Sequence, residues 1–230
     1  LTISLVQAQL ILVPASSVNK QQLPKNIETN YNQIPFIDDF SSYQGLPNQL
    51  KWQSTNVIVN SNYQFNPPTV GVVTLDVIDI FGKLYPNATT TSFEADTLLS
   101  QPIRLDSIVS PTRQKLSKSD SIYFSFYIQP AGSNGQPWET IGSLPSYSDS
   151  IILDFFSPEN GWEKVWAMGG IPLDSLFAQE KAYYKYVMIP ITEDKYFTKE
   201  FRFRFRNIAS LNNNPPLAYI GNCAQWNIDY

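Results

Sequence analysis

The side chains through which this chain could do acid–base chemistry are its carboxylates, because it has no histidine at all. That absence removes the commonest general base near neutral pH and the commonest zinc ligand. The one cysteine, Cys223, can form no intrachain disulfide, and as a thiol nucleophile it would lack the histidine that cysteine hydrolases place beside it. It reads as a small buried or loop residue. The carboxylate groupings are Asp38 with Asp39, Asp76 with Asp79, Asp154 with Glu159 or Glu163, and Asp229 by itself. Glycoside hydrolysis needs two carboxyl groups about 5–10 Å apart beside a sugar, and Trp138, Tyr147, Trp162 and Trp166 supply aromatic surface for one. Aromatic residues at strand spacing more often fill a core, however, and acidic residues at strand ends more often cap turns. The expectation is a chain that binds and does not catalyse.

Three groups of residues are candidates for binding. Calcium takes carboxylate and carbonyl oxygens, and Asp39 near the start of the fold and Asp229 at its end would share one ion if the two ends adjoin. No contiguous Asp-x-Asp-x-Asp-Gly loop is present; the competing reading has both aspartates capping turns or pairing with Arg202, Arg204 or Arg206. Next, the stretch 132–139 (Gly-Ser-Asn-Gly-Gln-Pro-Trp-Glu) is too long for a tight hairpin. Asn134, Gln136, Trp138 and Glu139 there combine hydrogen-bonding groups with an aromatic face, as carbohydrate recognition requires, unless Trp138 folds back onto the edge of the sheet. The third group is Arg202, Arg204 and Arg206 themselves. They either pair with acidic residues of neighbouring strands or form a cationic stripe for an anionic glycan.

Those arginines sit in the clearest pattern of the sequence, Phe-Arg-Phe-Arg-Phe-Arg from 201 to 206. Side chains alternate between the two faces of a strand, so three phenylalanines point one way and three arginines the other. Residues 121–129 supply a partner for the phenylalanine face, with Ile122, Phe124, Phe126 and Ile128 opposed to Tyr123, Ser125 and Tyr127. Further strands are expected at 36–40, 57–59, 71–80 (Val73, Leu75 and Val77 opposed to Val72, Thr74 and Asp76), 96–105 with Pro102 at an edge or bulge, 149–156, 162–166, 184–191 and 226–230. In 162–166 the spacing of four puts Trp162 and Trp166 on one face of a strand. Residues 173–181 are the one plausible short helix. Asn66-Pro67-Pro68 and the run 212–216 punctuate the strands as turns.

Composition sets the outer limits. Aromatics at 14% and hydrophobics at 43% leave ample apolar surface for a core, and 230 residues suit one large β domain. A core that size needs no disulfide staples, so the scarcity of cysteine does not assign the chain to the cytosol. A net charge of −4 argues against a nucleic-acid partner, which calls for a clustered basic surface. No uninterrupted apolar run is long enough to cross a bilayer. Residues 1–9 read as the tail of a secretory signal or as a short strand, and the polar, proline-broken stretch to Pro35 as an extended lead-in.

Several motifs together carry a resemblance. They are Asp38-Asp39-Phe40, Trp52, the run 67–76 (Pro-Pro-Thr-Val-Gly-Val-Val-Thr-Leu-Asp), 95–103 (Ala-Asp-Thr-Leu-Leu-Ser-Gln-Pro-Ile), 124–130 (Phe-Ser-Phe-Tyr-Ile-Gln-Pro), 149–155 (Asp-Ser-Ile-Ile-Leu-Asp-Phe), 162–166 (Trp-Glu-Lys-Val-Trp), 201–205 and 226–230 (Trp-Asn-Ile-Asp-Tyr). In this order they resemble the N-terminal β-sandwich of secreted surface proteins of Bacteroidetes, many exported by type IX secretion or linked to gliding and adhesion. In layout they are similar to MAM and laminin-G-type jelly rolls, without the paired cysteines of MAM domains. The resemblance covers residues 36–230. It implies an exported module of a larger protein, with further domains and a sorting domain downstream. In that setting Asp96-Thr97-Leu98, Asp106-Ser107-Ile108, Asp120-Ser121-Ile122, Asp149-Ser150-Ile151 and Asp174-Ser175-Leu176 resemble acceptor triplets for O-linked glycosylation, while Asp-Ser is also ordinary turn chemistry before a strand. Asn87-Ala88-Thr89 is an N-glycosylation sequon that carries weight only in a eukaryotic source.

The expectation is thus an all-β, antiparallel two-sheet jelly-roll sandwich over 36–230 after a lead-in of 1–35. It acts as a secreted or cell-surface binding and adhesion module whose partner is a glycan or a surface protein, with calcium as the one cofactor to consider. The alternatives are an accessory domain of a carbohydrate-active enzyme or peptidase, and a structural spacer.

Overall fold

A computed structural model describes residues 31–130, 149–211 and 224–229. Nine strands form two open sheets: β1 (Ile58–Asn60), β2 (Val72–Leu75), β3 (Phe93–Leu99), β4 (Tyr123–Pro130), β5 (Ser150–Ser157), β6 (Gly161–Gly169), β7 (Lys185–Pro190), β8 (Arg202–Ala209) and β9 (Trp226–Asp229). One sheet has the order β6-β5-β8-β3 and the other β7-β4-β9-β2-β1. Every neighbour in both is antiparallel. From β2 onward the pairing is nested: β2 with β9, β3 with β8, β4 with β7 and β5 with β6. The helix expected near residue 173 is present as α1 (Leu173–Glu180).

The phenylalanine face of β8 holds the sheets together. Phe201, Phe203 and Phe205 are buried, and across the interior they meet the apolar face of β4. Phe124 lies 4.5 Å from Phe203 and Phe126 lies 4.8 Å from Phe205, ring centre to ring centre. Each such side chain contributes about 1.5–3 kcal/mol by leaving water, and the edge-to-face geometry adds to that. Leu98, Leu153, Phe155, Val73, Leu75, Trp226 and Ile228 complete one continuous core.

Four expected elements come out differently, each for a local reason. Residues 36–40 form no strand. The Asp38 carboxylate accepts the N–H of Phe40, and Phe40 takes φ 52°, so the chain turns there. The strand at 71–80 ends at Leu75, because Asp76 folds back to accept the N–H of Ile78 in an Asx turn. The strand at 96–105 begins earlier, at Phe93, and breaks before Pro102, which has no N–H to give. Ile103–Arg104 resume on their own, parallel to Asn32–Gln33, which brings residues upstream of Phe36 into the fold. Lastly, a β-bulge in β6 shifts its register between Lys164 and Trp166.

That bulge reverses the expectation for the two tryptophans. Trp162 sits opposite Phe156, on the outer face with the arginines. Trp166 sits opposite Leu153 and packs inward, 5.2 Å from the ring of Phe126. One inserted residue changes the parity of every position beyond it.

The outer faces of the two sheets differ in how they are finished. On the five-stranded sheet, buried Asn60, Thr74, Asn227 and Gln129 form a hydrogen-bonded ladder across four strands. The Gln129 amide then ties down Phe65 and Tyr183 above it. The four-stranded sheet carries the arginines.

Candidate functional site

Arg202, Arg204 and Arg206 project from the outer face of β8, as the alternation requires, and the neighbouring strands supply their surroundings. Asp154, in register with Arg204 on β5, is almost wholly buried. Its Oδ2 accepts Nε–H from Arg204 at 2.8 Å and from Arg206 at 2.7 Å, and its Oδ1 accepts a terminal N–H of Arg206 at 3.3 Å. Burial pushes the Asp154 carboxyl up, but the hydrogen bonds from Arg206 and Arg204 outweigh it and hold the group below the usual aspartate range. Arg206 also reaches Glu94 on β3 at 2.9 Å, and its own pKa is raised, chiefly by Asp154. Of the two readings open in the sequence, local pairing therefore accounts for Arg204 and Arg206.

Arg202 is different. Its side chain forms neither an ion pair nor a hydrogen bond among the described residues, and its buried Nε lacks an acceptor. It is held by aromatic rings instead, its guanidinium 4.1 Å above Phe156 and 5.7 Å from Trp162. Arg204 covers Trp162 from 4.4 Å. Such cation–π contacts contribute about 0.5–2 kcal/mol each. Lys164 lies opposite Asp154 on β6, so it shares this face, and it is exposed. The parts of the face are thus two guanidinium groups over an indole, the ring of Phe156 under Arg202, and one central carboxylate. Sequence reasoning named the arginines and, separately, Trp162 as aromatic surface for a sugar, but missed Phe156 and Lys164 and did not join Trp162 to the arginines; only the residue count of the bulge brings it to this side.

The other candidates fall elsewhere. Asn134, Gln136, Trp138 and Glu139 lie outside the described residues. Asp39 and Asp229 do approach one another, but through Thr69. The Thr69 hydroxyl donates to Asp229 Oδ1 at 2.8 Å and lies 3.0 Å from the carbonyl oxygen of Asp39, whose carboxylate turns to Ser41. The Thr69 N–H donates to Asp229 Oδ2 at 2.9 Å. The oxygens at this seam are of the kind calcium accepts, but they include only one carboxylate. Among the described residues no group of three or more His, Cys, Asp or Glu side chains is placed to hold a metal ion.

Of the other acids named from the sequence, Glu159 is exposed and makes neither an ion pair nor a hydrogen bond among the described residues, while the rest are engaged. Asp79 caps the N–H groups of Phe81 and Lys83, and Glu163 pairs with Lys195. Asp76 and Asp96 form a buried pair, in which Asp96 accepts the Asp76 N–H at 2.8 Å and the hydroxyl of Tyr85. Burial raises both carboxyls, and for Asp96 the charge of Asp76 adds to it. Of the triplet hydroxyls, Ser107 is buried whereas Ser121 and Ser175 are exposed.

A cavity of about 510 Å³ opens between the sheets beneath residues 34–40, walled by Phe36, Phe40, Trp52, Phe124 and Phe203. Its size falls within the range of ligand pockets, but such pockets also need convergent polar groups to orient a guest. The one carboxylate in its wall, Asp38, already accepts the N–H of Phe40, the hydroxyl of Tyr43 and the indole N–H of Trp52. The arginine face, where donors remain without acceptors, is the stronger candidate for specific recognition. No protein-family model matches this chain, and no curated protein matches it either.

Proposed function

We propose that the chain is a non-catalytic binding module of a larger secreted or cell-surface protein, and that the outer face of the four-stranded sheet receives a saccharide. The observation that carries this reading is Trp162 with Arg202 and Arg204 beside it, 5.7 Å and 4.4 Å from its ring. Saccharides present apolar C–H faces and a fringe of hydroxyl groups, and an indole with guanidinium N–H donors stacked against it offers surface for both. Most of the candidate carboxylates, Glu159 excepted, are engaged with donors, which supports binding over hydrolysis, since a glycosidase needs one acid free to give a proton and another free to attack or activate water.

The fold is proposed to be a jelly roll. Its support is the nested pairing of first strand with last, β2 with β9 through β5 with β6, which is how one long antiparallel ribbon wraps into two facing sheets. The exported setting rests on the resemblance of the motifs to surface proteins of Bacteroidetes. Calcium has a place in the proposal only as a fastener at the Thr69 seam, and thermal melts in calcium and in chelator test it.

A glycan array probed with the wild-type chain and with Trp162→Ala tests the saccharide reading. Wild-type binding that falls at least tenfold in the variant is expected. An array with no wild-type signal would overturn the reading and leave a structural spacer; a variant that binds as well as wild type would move the site elsewhere.

A further inference from the structure

The three arginines of β8 are not equivalent, and the difference bears on what kind of saccharide the face selects. Arg204 and Arg206 close onto Asp154, and Arg206 also onto Glu94. Arg202 has a buried Nε–H without an acceptor, and the terminal amino groups of Arg204 make no hydrogen bond among the described residues. The Nε–H of Arg202 is closed off from solvent, so the donors a ligand can reach are the terminal amino groups of Arg202 and Arg204, which have no acceptor among the described residues. Stacking on Phe156 at 4.1 Å fixes the plane of Arg202 in advance, so a partner need not order it. Charge points the same way. Arg202, Arg204, Arg206 and Lys164 set four positive charges against the two carboxylates of Asp154 and Glu94, which leaves two positive charges on this face of a chain whose total is −4. A neutral sugar has no use for that excess.

We propose that the face selects saccharides bearing an oxyanion, either a uronate carboxylate or a sulfate ester, and that Arg202 is the donor that binds it, with the terminal amino groups of Arg204 alongside. Guanidinium groups match planar oxyanions with paired N–H bonds, stronger than those between neutral groups. Trp162 then takes the ring of the same sugar residue. This inference rests on the saccharide reading above and adds the charge of the ligand to it.

The test pairs uronate and sulfated oligosaccharides with their carboxyl-reduced and desulfated counterparts on an array, followed by calorimetric titration of the best pair with the whole chain. The acidic member is expected to bind more tightly by roughly ten- to a hundredfold, the effect of one charge-assisted hydrogen bond, and less tightly as salt is raised. Arg202→Gln should lose that preference while still binding the neutral member, and Arg202→Lys should recover part of it. Preference confined to carboxylates or to sulfates supports the proposal and identifies the anion. Equal binding of acidic and neutral members would overturn it while leaving the saccharide reading intact, and no binding by any member would overturn both. If Arg202→Gln fails to fold, Arg202→Lys and the salt dependence decide; a folded Gln variant with the wild-type preference would remove Arg202 from the site.

Discussion

Trp162 and Trp166 stand four residues apart on β6 and face opposite sides of the sheet, the first against Phe156 and the second against Phe126. Substituting each by alanine should separate stability from recognition. Trp166→Ala removes an inward-packed ring and should cost about 2–4 kcal/mol in chemical denaturation. Trp162→Ala should cost about 1 kcal/mol, the scale of its stacking contacts, yet abolish most saccharide binding. Equal losses of stability in the two variants would mean that the rings share a face.

Asp154 should be a sensitive charge, because two arginines depend on it. Replacing it with alanine strands the guanidinium groups of Arg204 and Arg206, whose side chains are 25% and 19% exposed, and should cost about 2–4 kcal/mol, somewhat less than for a fully buried pair. The pH dependence has a definite sign. The folded-state pKa is depressed, so the stabilisation is present above the ordinary aspartate range and is lost as pH falls through the lowered value. Urea titrations between neutral and strongly acidic pH should therefore show a flatter acid limb for Asp154→Asn than for wild type.

What could be read in the sequence was whatever depends on parity along a single strand. The Phe201–Arg206 alternation names its buried face without reference to any neighbour, and β4 repeats the logic with Phe124 and Phe126. Features that depend on a second segment could not be read in this way. The burial of Asp96 is decided by its contact with Asp76, 20 residues away. Trp162 joins the arginines only because a bulge changes the count in β6. The approach of Asp39 and Asp229 lay between the two cases: adjoining chain ends were foreseeable, but the mediating hydroxyl of Thr69, 160 residues from Asp229, was not.

Gly71 is required by its neighbour and should not tolerate a side chain. A Cβ built there would lie 2.0 Å from the carbonyl oxygen of Phe40 and 2.4 Å from its carbon. Both are backbone atoms, in a segment already pinned by Asp38, so neither can swing away. Gly71→Ala should cost roughly 3 kcal/mol or more, at or beyond the upper end of ordinary overpacking. Gly82 makes a suitable comparison, because its Cβ would meet nothing within 4 Å and only its φ of +74° opposes a side chain. Gly82→Ala should lose about 1–2 kcal/mol. Thermal melts of the two variants should differ by roughly 2–8 °C, and similar midpoints would show that the Phe40 carbonyl yields.

The Asp76–Asp96 pair should make the protein less stable in alkali, opposite in sign to Asp154. Burial raises the Asp76 carboxyl to about 7, and burial together with the charge of Asp76 raises Asp96 to about 8. The folded state thus holds protons that the unfolded chain releases near pH 4. Stabilisation from these protons is complete below the ordinary aspartate range, declines as pH rises and is gone above about 8. Neighbouring groups reinforce the effect: Asp79 adds negative charge to the raising of Asp96, while the Tyr85 hydroxyl and the Asp76 N–H, which donate to Asp96, offset only part of it. Asp76→Asn keeps an oxygen for the N–H of Ile78 and removes one charge of the pair. Its stability should still fall between pH 5 and pH 9, because burial alone keeps Asp96 raised, but by less than that of wild type, which should fall by an amount on the order of a few kcal/mol. A wild-type protein as stable at pH 9 as at pH 5 would mean that the two carboxyls ionise without mutual cost, and that water or a cation reaches them.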